Sequence, residues 1–130
     1  MERRTIAGES PEGASAEIDA ILAELSEEDP EFVATSRLVF SRPAYETPAA
    51  HPLPGLLERC AAARAIEVKP VGMSFWTDAA VLGESGTPSV LFGPGGAGLH
   101  SVEEYVHVDQ VLACRDVLAD LAEAWLTGRT

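Results

Sequence analysis

The stretch that decides the fold runs Leu56-Leu57-Glu58-Arg59-Cys60-Ala61-Ala62-Ala63-Arg64, then Ala65-Ile66-Glu67-Val68-Lys69-Pro70-Val71, and ends on Pro88-Ser89-Val90-Leu91-Phe92. The first segment is rich in Ala and Leu and predicts a short helix over 56–64. The second carries the β-branched residues Ile66, Val68 and Val71 and predicts a strand over 65–71. Asp78 to Ser85 predicts another short helix, and Pro88 to Phe92 reads as a buried strand of continuous apolar character. Alternating helix and strand of this kind predicts an α/β fold with a parallel sheet.

Downstream, Val108 to Thr127 predicts an amphipathic helix. Val111, Leu112, Val117, Leu118, Leu121 and Leu126 are available for its core face, and Asp109 is placed to cap it. Upstream, Pro43, Pro48, Pro52 and Pro54 forbid a continuous ladder or helix interior, so Ser41 to Pro54 predicts a hinge or a crossing between domains. Before the hinge, Phe32 to Phe40 reads as a strand. Ser10-Pro11-Glu12 opens a helix running to about Ser26, whose face carries Ile18, Ile21, Leu22 and Leu25, and Asp29-Pro30 ends it. Met1 to Ile6 has the texture of a strand end. Neither half reaches the usual strand number of a sheet, so each is expected to be a portion of something larger.

Composition narrows the function. The chain has 130 residues, 46% of them apolar, with 9 Lys+Arg against 21 Asp+Glu and a formal charge of −12. Such a charge repels a phosphate backbone, so no nucleic-acid partner is expected. No apolar run reaches the roughly 18–20 residues that span a bilayer, and no apolar stretch follows Arg3 and Arg4 to make a signal peptide. No membrane partner and a cytoplasmic location are therefore expected. Cys60 and Cys114 lie far apart with no CxxC spacing, which argues against a disulfide framework or a thiolate zinc knuckle.

Residues 72–107 hold most of the candidate chemistry. A strand that runs into Gly93-Pro94-Gly95-Gly96-Ala97-Gly98 presents groups at the carboxyl end of a sheet, where ligands of open α/β sheets bind. An ordinary wide loop is the plain alternative. A P-loop is excluded because no Gly-Lys-Ser/Thr follows, and a dinucleotide fingerprint because no helix follows directly. His100 is either a surface residue of that loop or a ligand, and its place at a strand end favours a ligand. Glu103 and Glu104 are either solvated or act by orienting and polarising the His100 imidazole. His107-Val108-Asp109 has the spelling of a His-x-Asp metal motif, but a helix entry does not put i and i+2 on one side. Asp78 reads as a helix cap, His51 has no role, and Trp76 and Trp125 read as packing residues.

Five pieces occur in order: Met1-Glu-Arg-Arg-Thr-Ile-Ala-Gly-Glu9, the proline-rich hinge, Thr77-Asp78-Ala79, Gly86-Thr-Pro-Ser-Val-Leu-Phe-Gly-Pro-Gly95 and His100-Ser-Val-Glu-Glu-Tyr-Val106. Followed by a carboxyl-terminal helix, they resemble the last third of the acetylornithine deacetylase / succinyl-diaminopimelate desuccinylase family of zinc metallopeptidases. The resemblance implies a two-domain enzyme, in which an α/β catalytic domain holding two zinc ions is interrupted by an α+β lid through which subunits dimerise. Residues 1–47 are then similar to the end of the lid, and 48–130 to the returning part of the catalytic domain. The resemblance implies that His100 is a metal ligand, with Glu103 standing where the family has Asp or Asn. It also places Thr77, Asp78, Gly93, Gly95 and Gly96 near the substrate, the glycine loop offering N–H groups to a carboxylate.

The implied substrates are N-acyl amino acids or short peptides. The family's other metal ligands and its general base lie upstream of the part resembled, and a catalytic zinc needs about three protein donors with an open position. The expectation is therefore a hydrolase segment that is inactive alone, with at most a partial zinc site and no complete catalytic set. Its partner would be a missing catalytic segment or a second copy. The rival expectations are a non-catalytic module that self-associates through its lid-derived strand, and an unrelated small α/β binding domain.

Overall fold

The computed structural model describes residues 1–128, as helices α1 (Pro11–Glu28), α2 (Pro52–Ala62), α3 (Ala79–Glu84) and α4 (Val108–Leu126), with strands β1 (Gly96–Ala97) and β2 (Tyr105–Val106) between α3 and α4. Two compact units divide the chain. One comprises Met1–Glu46 with Met73–Gly86, the other Thr47–Gly72 with the chain from Thr87 onward.

All four helices stand where the sequence predicts them, and their ends have local causes. Ser10 accepts from the Gly13 N–H through its side chain at 3.0 Å, and Pro11 occupies the first helical position. α2 begins four residues earlier than expected, inside the predicted hinge. Pro52 and Pro54 both fall in its first turn, where an N–H has no intrahelical partner to lose. His51 precedes them and caps the helix, its Nδ1 accepting from the Leu53 N–H at 3.3 Å. Two expected caps do not form. Asp78 has helical dihedrals, φ −62° and ψ −14°, and its side chain makes no capping bond to α3. Asp109 sits inside the first turn of α4 and His107 takes the cap position, so Asp109 acts only as a negative charge near the positive helix end.

The second unit owns the core. Leu56, Leu57, Cys60 and Ala61 of α2 bury against Val117 of α4, and Ile66, Val68, Val90, Phe92, Leu121 and Ala124 pack around them. Beyond Val117 and Leu121, the expected face of α4 is largely bare, with Val111, Leu112, Leu118 and Leu126 exposed. Arg64, just past α2, reinforces the helix pair: its guanidinium donates to both carboxylate oxygens of Asp120 on α4, at 2.5 and 2.8 Å. Both cysteines are free, and no described helix is long and apolar enough to cross a membrane.

The strands depart furthest from expectation. Phe32–Phe40, Ala65–Val71, Pro88–Phe92 and Met1–Ile6 join no ladder, and the one sheet among the described residues is the antiparallel pair β1–β2. A helix satisfies its own backbone, whereas a strand needs a neighbour at about 4.8 Å to satisfy it. No described segment supplies that neighbour to these four. Ile66, Val68, Val90 and Phe92 nevertheless turn one side to the helical core, while Val71 and Leu91 are exposed. The chain is thus mixed helix with a small two-stranded sheet, and the expected parallel sheet is not formed by the described residues.

Candidate functional site

The glycine loop, expected as an open turn after a strand, folds back on itself. Gly96 faces Val106 and Ala97 faces Tyr105, so 98–104 closes a hairpin with His100 near its tip. Gly98 is required there. Its φ is +75°, and a Cβ at that position would stand 2.2 Å from the Glu103 carbonyl oxygen. The Ser101 N–H donates to the Gly98 carbonyl at 2.7 Å, which tightens the turn.

His100 is held in the left-handed region at φ +63° although it is not glycine. Such residues are uncommon and cluster at functional sites, where the surrounding structure sustains the strain. Glu104 supplies part of that support, its carboxylate accepting from the His100 backbone N–H at 3.3 Å. Glu104 thus engages the backbone of His100, a contact beyond the two the sequence left open for it, solvent or the imidazole. Glu103 has an exposed side chain and its carbonyl lies beside Gly98. The imidazole and the two carboxylates are all at the surface, gathered in one short loop.

Of the residues expected near substrate, the second unit brings Gly93, Gly95 and Gly96 beside this hairpin in sequence. Gly93 is exposed, with open space where a Cβ would be. Gly95 donates its N–H to Gln110 Oε1 at 2.7 Å, so that donor is engaged within the chain. Gly96 lies in the ladder. Thr77 and Asp78 belong to the first unit, at the entry to α3, where their carbonyls accept from the Ala80 and Leu82 N–H groups at 3.1 and 3.0 Å.

Among the described residues, no three His, Cys, Asp or Glu side chains converge to hold a metal ion. His100 is one imidazole donor, well short of the donor set a catalytic zinc requires.

Two residues were missed by sequence reasoning. His51 caps α2 and stacks on Trp125 of α4, ring centroids 6.0 Å apart at 28°; a polar residue directly before a proline-initiated helix is the signal that points to it. Gln110 had no such signal, because its partner Gly95 is remote in sequence. Trp76 is not a simple packing residue either. The Arg42 guanidinium lies 5.0 Å from its ring centroid and 4.8 Å from that of Phe40.

Residues 8–124 match the sequence profile of peptidase family M20/M25/M40. Among curated proteins the chain is similar to acetylornithine deacetylase of Myxococcus xanthus, at 33% identity over 130 residues, which are 99% of this chain and 33% of that relative. The chain therefore spans about a third of the length of the curated relative it matches. No solved structure matches it.

Proposed function

Because the chain belongs to peptidase family M20/M25/M40, we propose that it forms the carboxyl-terminal part of a metal-dependent hydrolase that cleaves amide bonds of N-acyl amino acids or short peptides. The observation that carries this reading is His100, held left-handed at the tip of a hairpin inside the motif His100-Ser101-Val102-Glu103-Glu104. In this reading His100 gives one ligand to a zinc site, one of two zinc ions in the complete enzyme. Residues 1–47 are the end of a lid and 48–130 the returning part of the catalytic domain. In this reading Thr77 and Asp78 of the first unit, and separately Gly93, Gly95 and Gly96 of the second, are substrate-binding residues. The name of the Myxococcus relative makes acetylornithine the first substrate to try. The location is cytoplasmic.

In this reading His100 is this chain's contribution to the metal site, and the remaining ligands and the general base belong to a segment corresponding to the rest of the relative's length. Co-expression with the first two thirds of a family member, as a separate polypeptide, is expected to yield a complex with zinc-dependent deacetylase activity that His100→Ala abolishes. A mixture without activity and without a complex on size exclusion overturns the proposal.

A second reading has its own observation. Val33, Val39 and Phe40 are 88%, 79% and 67% exposed in a segment with strand composition, which suits self-association of a non-catalytic module. Sedimentation equilibrium giving a monomer at all concentrations counts against it.

A further inference from the structure

The hairpin that carries His100 has an incomplete ladder, and two side chains complete it. In an antiparallel pair, hydrogen-bonded residues exchange both N–H···O bonds. Gly95 and His107 stand at the base of the hairpin as such a pair, and the His107 N–H donates to the Gly95 carbonyl at 3.1 Å. The return bond is missing. α4 starts immediately after β2, and the His107 carbonyl accepts from the Val111 N–H at 3.0 Å. The Gly95 N–H has lost its ladder acceptor to the helix, and Gln110 Oε1 takes that place at 2.7 Å from the first turn of α4. Glu104 does the same service at the tip, where the left-handed His100 N–H has no ladder partner and meets the Glu104 carboxylate.

We propose that Gln110 is a positioning residue for His100, acting with Glu104. Gln110 locks the base of the hairpin to α4, Glu104 locks its tip, and together they fix the backbone from which the imidazole projects. The inference rests on the reading of His100 as a ligand only for its functional meaning; the geometry belongs to the hairpin and α4 themselves. Two consequences separate it from a general stabilising role. Each position requires an acceptor oxygen, not a charge, so Gln110→Glu and Glu104→Gln preserve function where alanine does not. The core of α2 and α4 does not depend on either.

The test uses the full 15N-labelled chain in metal-free buffer. Amide exchange at Gly95 and His107, and the HN–Hα coupling of His100, report the base and the tip. Gln110→Ala is expected to speed exchange at Gly95 and His107 about tenfold and to move the His100 coupling towards an averaged value, with melting temperature unchanged. Gln110→Glu is expected to stay within about twofold of the parent. Glu104→Ala is expected to move the His100 coupling, and Glu104→Gln to leave it in place. Unchanged exchange and coupling in Gln110→Ala overturn the proposal. So does a changed base with an unmoved His100, or failure of the acceptor-preserving variants to rescue. Retention of zinc-dependent hydrolysis by His100→Ala in the completed enzyme would instead overturn the ligand reading and leave the exchange result standing.

Discussion

The segment 56–61 and the segment 32–40 are both strongly apolar, and they end in opposite surroundings. In the first, Leu56, Leu57, Cys60 and Ala61 are buried against Val117, and Ala61 and Val117 have no exposed surface at all. In the second, every residue but Phe32 is exposed. Hydrophobicity does not separate them; backbone hydrogen bonding does. A helix arrives at the core with its N–H and C=O groups already paired, so two helices suffice to bury a face. An extended segment carries unpaired groups until a neighbouring strand satisfies them, and no described segment does this for 32–40. The same contrast distinguishes the units: the first buries Ala80 and no large side chain, and the second encloses a core.

The largest test of this contrast is truncation on each side of it. Leu57→Ala is expected to cost ~2–5 kcal/mol, the range for emptying a packed Leu site, read from urea denaturation followed by circular dichroism. Val39→Ala is expected to change stability by no more than about 0.5 kcal/mol, as at other exposed positions. A large loss from Val39→Ala would break the comparison, since it would mean that 32–40 is covered in solution, as self-association requires.

A smaller effect separates helices that are capped by a side chain from those that are not. Ser10→Ala removes the bond to the Gly13 N–H and is expected to cost about 1 kcal/mol, visible as lost helical carbon shifts in the first turn of α1. Asp78→Ala is expected to leave α3 unaltered, because the Asp78 side chain makes no capping bond. Equal losses at both sites would show that the dihedrals of Asp78 relax into a capping geometry in solution.

These contrasts also explain what was legible beforehand. The helices were, because propensity, periodicity and caps are local: Ser10-Pro11 and the i, i+3, i+4 spacing of Ile18, Ile21, Leu22 and Leu25 stand next to one another in the chain. The strand textures were legible as composition, but a ladder depends on two segments, and nothing within 65–71 or 88–92 says whether a partner is at hand. The β1–β2 hairpin was hidden for the opposite reason. Gly96-Ala97 has no strand propensity, and its pairing with Tyr105-Val106 follows from the turn that Gly98 allows. At the candidate site, His100, Glu103 and Glu104 were found as a motif, while the contact of Glu104 with the His100 backbone and the role of Gln110 needed coordinates. Asp109 suits a helix start by its charge, whereas the task of Gln110 is set by the Gly95 N–H, a feature of three dimensions.

The smallest expected effect concerns an interaction found in both units, a surface arginine held by carboxylates. In the first unit a side-chain hydrogen bond from Arg3, helped by the Ile6 N–H, lowers the Glu9 carboxyl below its ordinary value. In the second, the side-chain hydrogen bond from Arg64 lowers the Asp120 carboxyl likewise. For each acid the folded value lies below the unfolded one, so the unfolded chain takes up the proton first as pH falls. The stabilisation is therefore present above the ordinary carboxylate value of about 4 and drains away as pH drops through the lower folded value. Asp120→Asn is expected to flatten the acid limb of unfolding followed through Trp125 in a Trp76→Phe background, and 1 M NaCl to shrink the difference from the parent. Glu9→Gln should leave that limb unchanged, since Arg3 and Glu9 belong to the other unit and Trp125 reports the α2–α4 pair. An equal flattening by Glu9→Gln would mean that the two units unfold as one, and the contrast between a closed core and a bare strand would then describe packing alone and not two separate stabilities.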